Sequence, residues 1–323
     1  MSRKSDHQLE REMEIIRDAY LGVDLTSEDL FNPIENIHES CYSNPYIYLL
    51  WLMSRPEYFC LFTKHVLNVD LYPFQALIIK EMWDKKFPML IGCRGLSKTF
   101  MLAIYVLLRM IFMPGRKIVI TGAVFRQSKL VFEYMERIWY QAPILRDLAN
   151  EGRGSGPFHG NDAWKFIIGD SIAFALPVGD GQTIRGYRAN DIIVDEFASG
   201  NVEVFEHVIR GFAMVNADPM NTSKRLASRL KAIELGHKIS DDDGEYYQSN
   251  QVILAGTAYY EFNHFYKYWK RYKNIILTGG DKKKLLDIGE DPNIEWDKHL
   301  IIRIPFDLLP DGLMDKSIIA SAK

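Results

Sequence analysis

Cysteine is scarce. Cys41, Cys60 and Cys93 are the three in 323 residues, too few and too scattered for a disulfide framework or a zinc site. That points to a reducing compartment rather than a secreted protein. Charge of one sign is not in excess either. Lys and Arg number 39 against 42 Asp and Glu, a formal net charge of −3; this excludes a uniformly basic nucleic-acid coat and leaves room only for local basic patches. Long hydrophobic runs are missing. The richest, 101-MLAIYVLLRMIFM-113, is interrupted by Arg109 and reads as a buried helix rather than a membrane span. The N-terminus, MSRKSDHQLEREMEII, is charged and has no signal-peptide core. Internal repeats and low-complexity segments are absent. A soluble globular protein with no membrane partner is expected.

What is present is alternation. Residues 8–30 carry Leu9, Met13, Ile16 and Tyr20 at helical spacing, and the aromatic-rich 44–67 also reads as helix. From there the chain alternates: helix over 73–84, an extended 88-PMLIG-92, a long helix after Ser97, and the strand 116-RKIVITGA-123. A helix over 126–140 and a Gly-rich loop over 150–162 follow, then a hairpin from 164-WKFIIG-169 and 171-SIAFALP-177. Strand 191-DIIVD-195, a helix near 200–212, a basic helical stretch over 222–237 and strand 251-QVILAGT-257 come next. The last third holds an aromatic helix over 262–273, a lysine-rich loop over 280–285 and strand 299-HLIIRIP-305. Strand–helix alternation predicts a three-layer α/β fold. The expected divisions are an N-terminal helical segment over 1–68, a core over 69–260 and a small C-terminal lid or linker subdomain over 261–323.

The chemistry starts at 92-GCRGLSKT-99, which matches the phosphate-binding pattern G-x-x-x-x-G-K-[ST] at every defined position except Ser97. It lies between an expected strand and an expected helix, the context the pattern requires. Loop amides of Gly92, Gly95, Leu96 and Ser97, together with the helix N-terminus, would cradle phosphates. Lys98 would reach the β- and γ-phosphates and Thr99 would offer its hydroxyl to Mg²⁺. Serine in place of glycine lets the backbone approach a ligand provided its φ is negative. The same run also reads as a plain helix start capped by Ser97.

A second signal is 191-DIIVDEF-197, an apolar strand ending in adjacent acids. Asp195 would hold Mg²⁺ through water and Glu196 could polarise an attacking water. The bland alternative is a strand with two solvated acids at its end. Three further stretches fit one machine. In 71-LYPFQALI-78, Gln75 could read an adenine edge, or belong to an ordinary amphipathic helix. In 252-VILAGTAYY-260, Thr257 could sense a γ-phosphate, or simply end a strand. In 182-QTIRGYRAND-191, Arg185 or Arg188 could act as an arginine finger, and Arg94 could do so from within the loop.

These residues together resemble the ATPase domain of the large terminase subunit, the DNA-packaging motor of tailed bacteriophages. The resemblance runs over about 70–310 and rests on Pro73 with Gln75, GCRGLSKT, TGAVFRQS, IRGYR, VDEF and AGT. It implies a P-loop NTPase of the additional-strand RecA-like (ASCE) type with ATP and Mg²⁺ as cofactors. It further implies phosphate binding by Lys98 and Thr99, Mg²⁺ at Asp195, a catalytic Glu196, adenine contact by Gln75 and coupling through Thr257. Arg185 would be the trans-acting finger and Arg94 a cis sensor. The implied partners are double-stranded DNA, the portal protein and procapsid, the small terminase subunit, and further copies in a ring, commonly a pentamer; isolated chains could be monomeric. The implied place is the host cytoplasm, at the portal vertex.

Such subunits usually continue into a nuclease domain that needs spaced acids. The chain stops at 314-MDKSIIASAK-323 without them, so an ATPase-only portion is expected. Asp241, Asp242 and Asp243 read as a solvated loop. Candidate contacts with DNA backbone are 224-KRLASRLKAIELGHK-238, 267-KYWKRYK-273 and 282-KKK-284, each of which also reads as a solvated face. Two other readings stay open: a RecA-like helicase or translocase of another family, and a non-hydrolysing nucleotide-binding assembly protein.

Overall fold

A computed structural model describes residues 52–93, 95–113, 115–149, 154–161, 163–177, 187–213, 250–257, 261–310 and 313. The chain divides into two compact units, Met1–Lys80 and Glu81–Lys323. The expected helix over 8–30, the basic stretch over 222–237 and the aspartates at 241–243 lie outside the described residues.

In the first unit, the single helix expected over 44–67 is broken. Pro56 opens a 3-10 turn, Pro56–Tyr58, before α1, Phe59–His65. Proline lacks the N–H and crowds the preceding turn, so it starts a helix rather than continuing one. Asn68, at φ 56°, turns the chain out of α1. α2 is Pro73–Trp83.

The second unit is built on one eight-stranded sheet in the order β3-β4-β5-β2-β6-β7-β1-β8. Its strands are β1 Phe87–Gly92, β2 Lys117–Gly122, β3 Gly156–His159, β4 Trp164–Ile168, β5 Ser171–Ala175, β6 Asp191–Asp195, β7 Gln251–Gly256 and β8 His299–Ile304. Only the pairings of β4, with β3 and with β5, are antiparallel; the rest are parallel. Every residue of β6 and β7 is buried, as is every residue of β1 and β2 but the first. Parallel strands covered on both faces need unbroken apolar runs, and MLIG, IVIT, IIV and VILAG supply them. β7 lies between β1 and β6, with Met89 opposite Leu254 on one side and Val194 opposite Leu254 on the other.

The helices are α3 Lys98–Phe112, α4 Phe125–Gln141, α5 Pro143–Leu148, a short α6 Val202–Val204, α7 His264–Leu277 and α8 Lys282–Asp287. α3 is buried from Met101 through Met110, so the apolar run expected to be a buried helix is one. Among the described residues no helix is long and apolar enough to cross a membrane.

Three local expectations change. The Gly-rich stretch 150–162 contains strand β3, paired antiparallel with β4; Gly156 supplies the φ of 115° that its first position takes, against the Trp139 ring. The helix expected near 200–212 is α6 followed by a π-turn, Phe205–Ile209, and a 3-10 turn, Arg210–Ala213. The lysine-rich segment is α8 rather than a loop. Asp281 caps it by accepting from the Lys283 and Lys284 amides at 2.9 and 3.4 Å, and Leu285 is buried. The hairpin of β4 and β5 is as expected, closing at Gly169-Asp170 with Ile168 opposite Ser171.

Candidate active site

β1, β6 and β7 are adjacent and parallel, so their C-terminal ends open at one edge of the sheet. That edge is where open α/β sheets place ligands. β1 delivers the loop 92–97, β6 delivers Asp195 and Glu196, and β7 delivers Thr257.

The loop is shaped by packing. A Cβ at Gly92 would overlap the side chain of Leu96, which is wholly buried. Leu96 is thus an anchor, with its backbone N–H donating to the Cys93 carbonyl at 3.4 Å. Gly95 has φ 88° and Ser97 φ 62°. The negative φ expected of Ser97 is not what the structure has. Its side chain forms no cap hydrogen bond, so left-handed backbone makes the turn into α3. A non-glycine residue there costs about 1–2 kcal/mol, which is the physical reason the usual pattern has glycine. The reading of Ser97 as an ordinary helix cap loses its support with it.

Lys98 is buried, 7 % exposed. Its ammonium donates to the Gly92 and Cys93 carbonyls, both at 3.1 Å, and to the Thr257 hydroxyl at 3.3 Å. No carboxylate of the described residues lies within ion-pair reach of it. A buried charge is ordinarily paired; among the described residues this one is held by neutral oxygens.

One residue on, the Thr99 hydroxyl donates to Asp195 Oδ2 at 2.8 Å. The other carboxylate oxygen, Oδ1, accepts the Glu196 N–H at 3.0 Å. Asp195 is 2 % exposed. Burial pushes its carboxyl above the usual carboxylate range; the Thr99 hydrogen bond opposes this and the charge of Glu196 adds to it. Glu196 itself is half-buried. It holds φ 51°, ψ 45°, and its carboxylate has no hydrogen bond or ion pair among the described residues. Left-handed backbone at a non-glycine residue persists only where its surroundings enforce it. Two of the three described non-glycine residues with positive φ, Ser97 and Glu196, are in this site.

Among the described residues there is no cluster of three or more His, Cys, Asp or Glu that could hold a metal. A closed all-protein cage is not what Mg²⁺ needs. It keeps several waters and takes one or two carboxylates together with phosphate oxygens. Thr99 and Asp195, with their oxygens already 2.8 Å apart, fit that pattern.

The remaining expected residues are distributed as follows. Gln75 is in the first unit, 3 % exposed, its amide oxygen accepting from the Tyr72 N–H at 2.9 Å. Arg94 and Arg185 lie outside the described residues. Arg188 is exposed just before β6. Sequence reading missed the partners behind the acid pair. Phe197 is buried and ringed by Phe205, His264, Phe265 and Tyr268, at centroid distances of 4.9, 4.8, 5.7 and 5.2 Å. The only available signal was VDEF followed far downstream by an aromatic helix, and spacing alone does not join them.

No protein-family model and no curated protein matches this chain. Among solved structures it is similar to the HK97 bacteriophage large terminase at 15% identity and TM-score 0.42, covering 76% of this chain and 41% of that one. It is similar to the large terminase from the thermophilic bacteriophage D6E at 10% identity and TM-score 0.45, covering 74% and 47%. A complex of the latter with ADP gives 11% and 0.43, covering 77% and 48%. The chain thus spans less than half the length of each of these structures.

Proposed function

We propose that this chain is the ATP-hydrolysing motor unit of a viral DNA-packaging machine of the large-terminase type, with an additional-strand P-loop core. The observation that carries the reading is the convergence at one sheet edge. An ammonium whose hydrogen-bond partners among the described residues are neutral, a hydroxyl–carboxylate pair, and a carboxylate without a hydrogen bond or ion pair among those residues come together at the ends of β1, β6 and the interposed β7. The interposed strand supports the additional-strand assignment, because it leaves room between loop and acid pair for a water-activating group. The motif set with an arginine in the phosphate loop is what narrows an ATPase to a packaging motor.

In this reading Lys98 leaves its carbonyl partners for the β- and γ-phosphates, and Thr257 follows the change because it shares that ammonium. Thr99 and Asp195 hold Mg²⁺, which when bound neutralises charge on the phosphate oxygens. Glu196 accepts the proton of the attacking water and orients it along the line of displacement. Arg94 acts in cis and Arg185 on a neighbour's site, which makes turnover depend on assembly into a homo-oligomeric ring. Double-stranded DNA is gripped through its backbone; Lys267, Lys270 and Lys273 on α7 and Lys282–Lys284 on α8 are exposed lysines available for this. Portal protein, procapsid and small terminase subunit complete the proposed assembly at the portal vertex.

The test is phosphate release paired with nucleotide binding. Glu196→Ala should lower turnover by roughly 10²–10⁴-fold while ATP still binds, and Lys98→Ala should weaken binding itself. Hydrolysis at the wild-type rate in Glu196→Ala would sink the assignment. Mixing Arg185→Ala with Glu196→Ala subunits should recover part of the activity if the finger acts in trans.

A further inference from the structure

The 3-10 turn Phe197–Ser199 directly follows Glu196, and two consecutive side chains from the start of α7 grip it. His264 Nε2 lies 2.7 Å from the Phe197 carbonyl. A carbonyl only accepts, so this nitrogen carries the proton and donates. Asn263 Nδ2 donates to the next carbonyl, that of Ala198, at 2.8 Å. The same Asn263 amide uses its oxygen to accept the Phe265 N–H at 2.8 Å as the N-cap of α7. One side chain therefore starts the helix and holds the turn.

The turn has reason to need holding. Glu196 sits in the left-handed region at φ 51°, a conformation that relaxes unless neighbouring structure enforces it. Its own chain supplies the Ser199 N–H to the Glu196 carbonyl at 3.0 Å and the Gly200 N–H to the Phe197 carbonyl at 3.0 Å, but both bonds are internal to the turn. Among the described residues, Asp195 Oδ1 holds the Glu196 N–H from the strand side, and Asn263, His264 and the ring of Phe197 tie the turn itself to α7. β7 joins at the same point: a Cβ on Gly256 would lie 3.1 Å from Phe265 Cε1 and 3.5 Å from the Phe197 nitrogen. Gly256 precedes Thr257, which bonds the Lys98 ammonium.

We infer that Asn263 and His264 are positioning residues for Glu196. They act through the Phe197 and Ala198 carbonyls to hold the catalytic carboxylate in its left-handed pose. The inference rests on the hydrolytic reading of Glu196 and adds to it a latch from a helix that contributes no residue to the nucleotide pattern. Loss of the latch lets Glu196 leave its pose while Lys98, Thr99 and the loop stay in place. It therefore lowers kcat and spares nucleotide binding.

The experiment compares His264→Leu, His264→Gln, Asn263→Ala and the His264→Leu/Asn263→Ala double variant by steady-state phosphate release and by titration with a fluorescent ATP analogue. Each loss of a gripping donor should lower kcat by roughly tenfold, the size of one well-placed hydrogen bond, with analogue affinity within about twofold of wild type. His264→Gln, whose amide N–H can reach the same carbonyl, should restore most of the rate, a rescue that a purely structural role would not give. Wild-type kcat in the double variant overturns the latch. So does equal activity of His264→Leu and His264→Gln, a comparison that stands even if the double variant does not fold. If Glu196→Ala is inactive while the double variant is not, only the latch fails. If Glu196→Ala turns over normally, the hydrolytic reading and the latch fall together.

Discussion

β6 begins and ends with a buried aspartate, and the two are treated in opposite ways. Asp191, at the first position, is wholly buried and takes both Nε and Nη2 of Arg109, at 3.2 and 2.9 Å. Arg109 is itself 2 % exposed, lies 5.0 Å from the Trp83 ring centre and donates to the Trp83 carbonyl. Beside it Tyr105 donates to Gln251 at 2.7 Å, and the Gln251 amide donates to the carbonyls of Met82 and Lys85. Asp195, four positions on, receives one neutral hydroxyl and one amide. The first carboxylate is compensated by a bidentate guanidinium and serves the fold. Among the described residues the second has no guanidinium against it, only those two neutral donors and the more distant charge of Lys98, which suits the metal-holding role proposed for it.

The sharpest way to break that comparison is at Asp191. Asp191→Ala removes the carboxylate that Arg109 grips with two bonds and that Arg116 approaches at 3.8 Å, and should destabilise the protein by about 3–5 kcal/mol in denaturant unfolding. The paired change Arg109→Met with Asp191→Leu should recover only part of that loss, because it removes one buried charge pair together but still takes Asp191 Oδ1 away from the buried Arg116 at 3.8 Å. If the single variant unfolds like wild type, the guanidinium is not dependent on this partner.

At Asp195 the expected sign reverses. Burial raises its carboxyl above the usual range, so the fold favours the protonated form. That contribution is complete below the ordinary carboxylate range and is lost as pH rises through the elevated value. Above it the ionised group is held at a cost. Asp195→Asn keeps an oxygen for Thr99 and removes the charge, so its thermal midpoint should rise by a few degrees near neutral pH and change little in acid. Mg²⁺-dependent turnover should be lost in the same variant. A midpoint that falls at neutral pH would put Asp195 with Asp191, as a structural carboxylate.

The smallest effect is expected at Ser97. Glycine carries no penalty at φ 62°, so Ser97→Gly should stabilise the fold by about 1 kcal/mol or slightly less, offset in part by a freer unfolded chain. Nucleotide binding should persist, since no side-chain bond of Ser97 holds the loop. A loss of stability would mean that the serine side chain contributes more than its backbone costs.

Much of the fold was legible because the signals are local. The apolar runs of β1, β2, β6 and β7, the hairpin of β4 and β5, and the long apolar helix after the loop each follow from periodicity within one segment. β3 and α8 were misread because their evidence was tertiary: Gly156 against the Trp139 ring, and Leu285 drawn into the core. The break before α1 was legible in Pro56 but was outweighed by the aromatic pattern around it. At the candidate site, Lys98, Thr99, Asp195, Glu196 and Thr257 were readable as types in a pattern. Leu96 was readable only as part of a loop, its anchoring role appearing once Gly92 is seen to leave it space.

The available groups are encoded locally, each in a few consecutive residues: a glycine loop ending in Lys98 and Thr99, an apolar strand ending in two acids, and a strand ending in Thr257. The tertiary structure alone decided that β7 slips between β1 and β6, that Lys98 meets Thr257 across 159 positions, and that Asn263 and His264 close on the turn behind Glu196. It also decided that Ser97 and Glu196 take left-handed backbone. Strand order and strain are properties of many contacts made at once, and no short stretch of chain contains them.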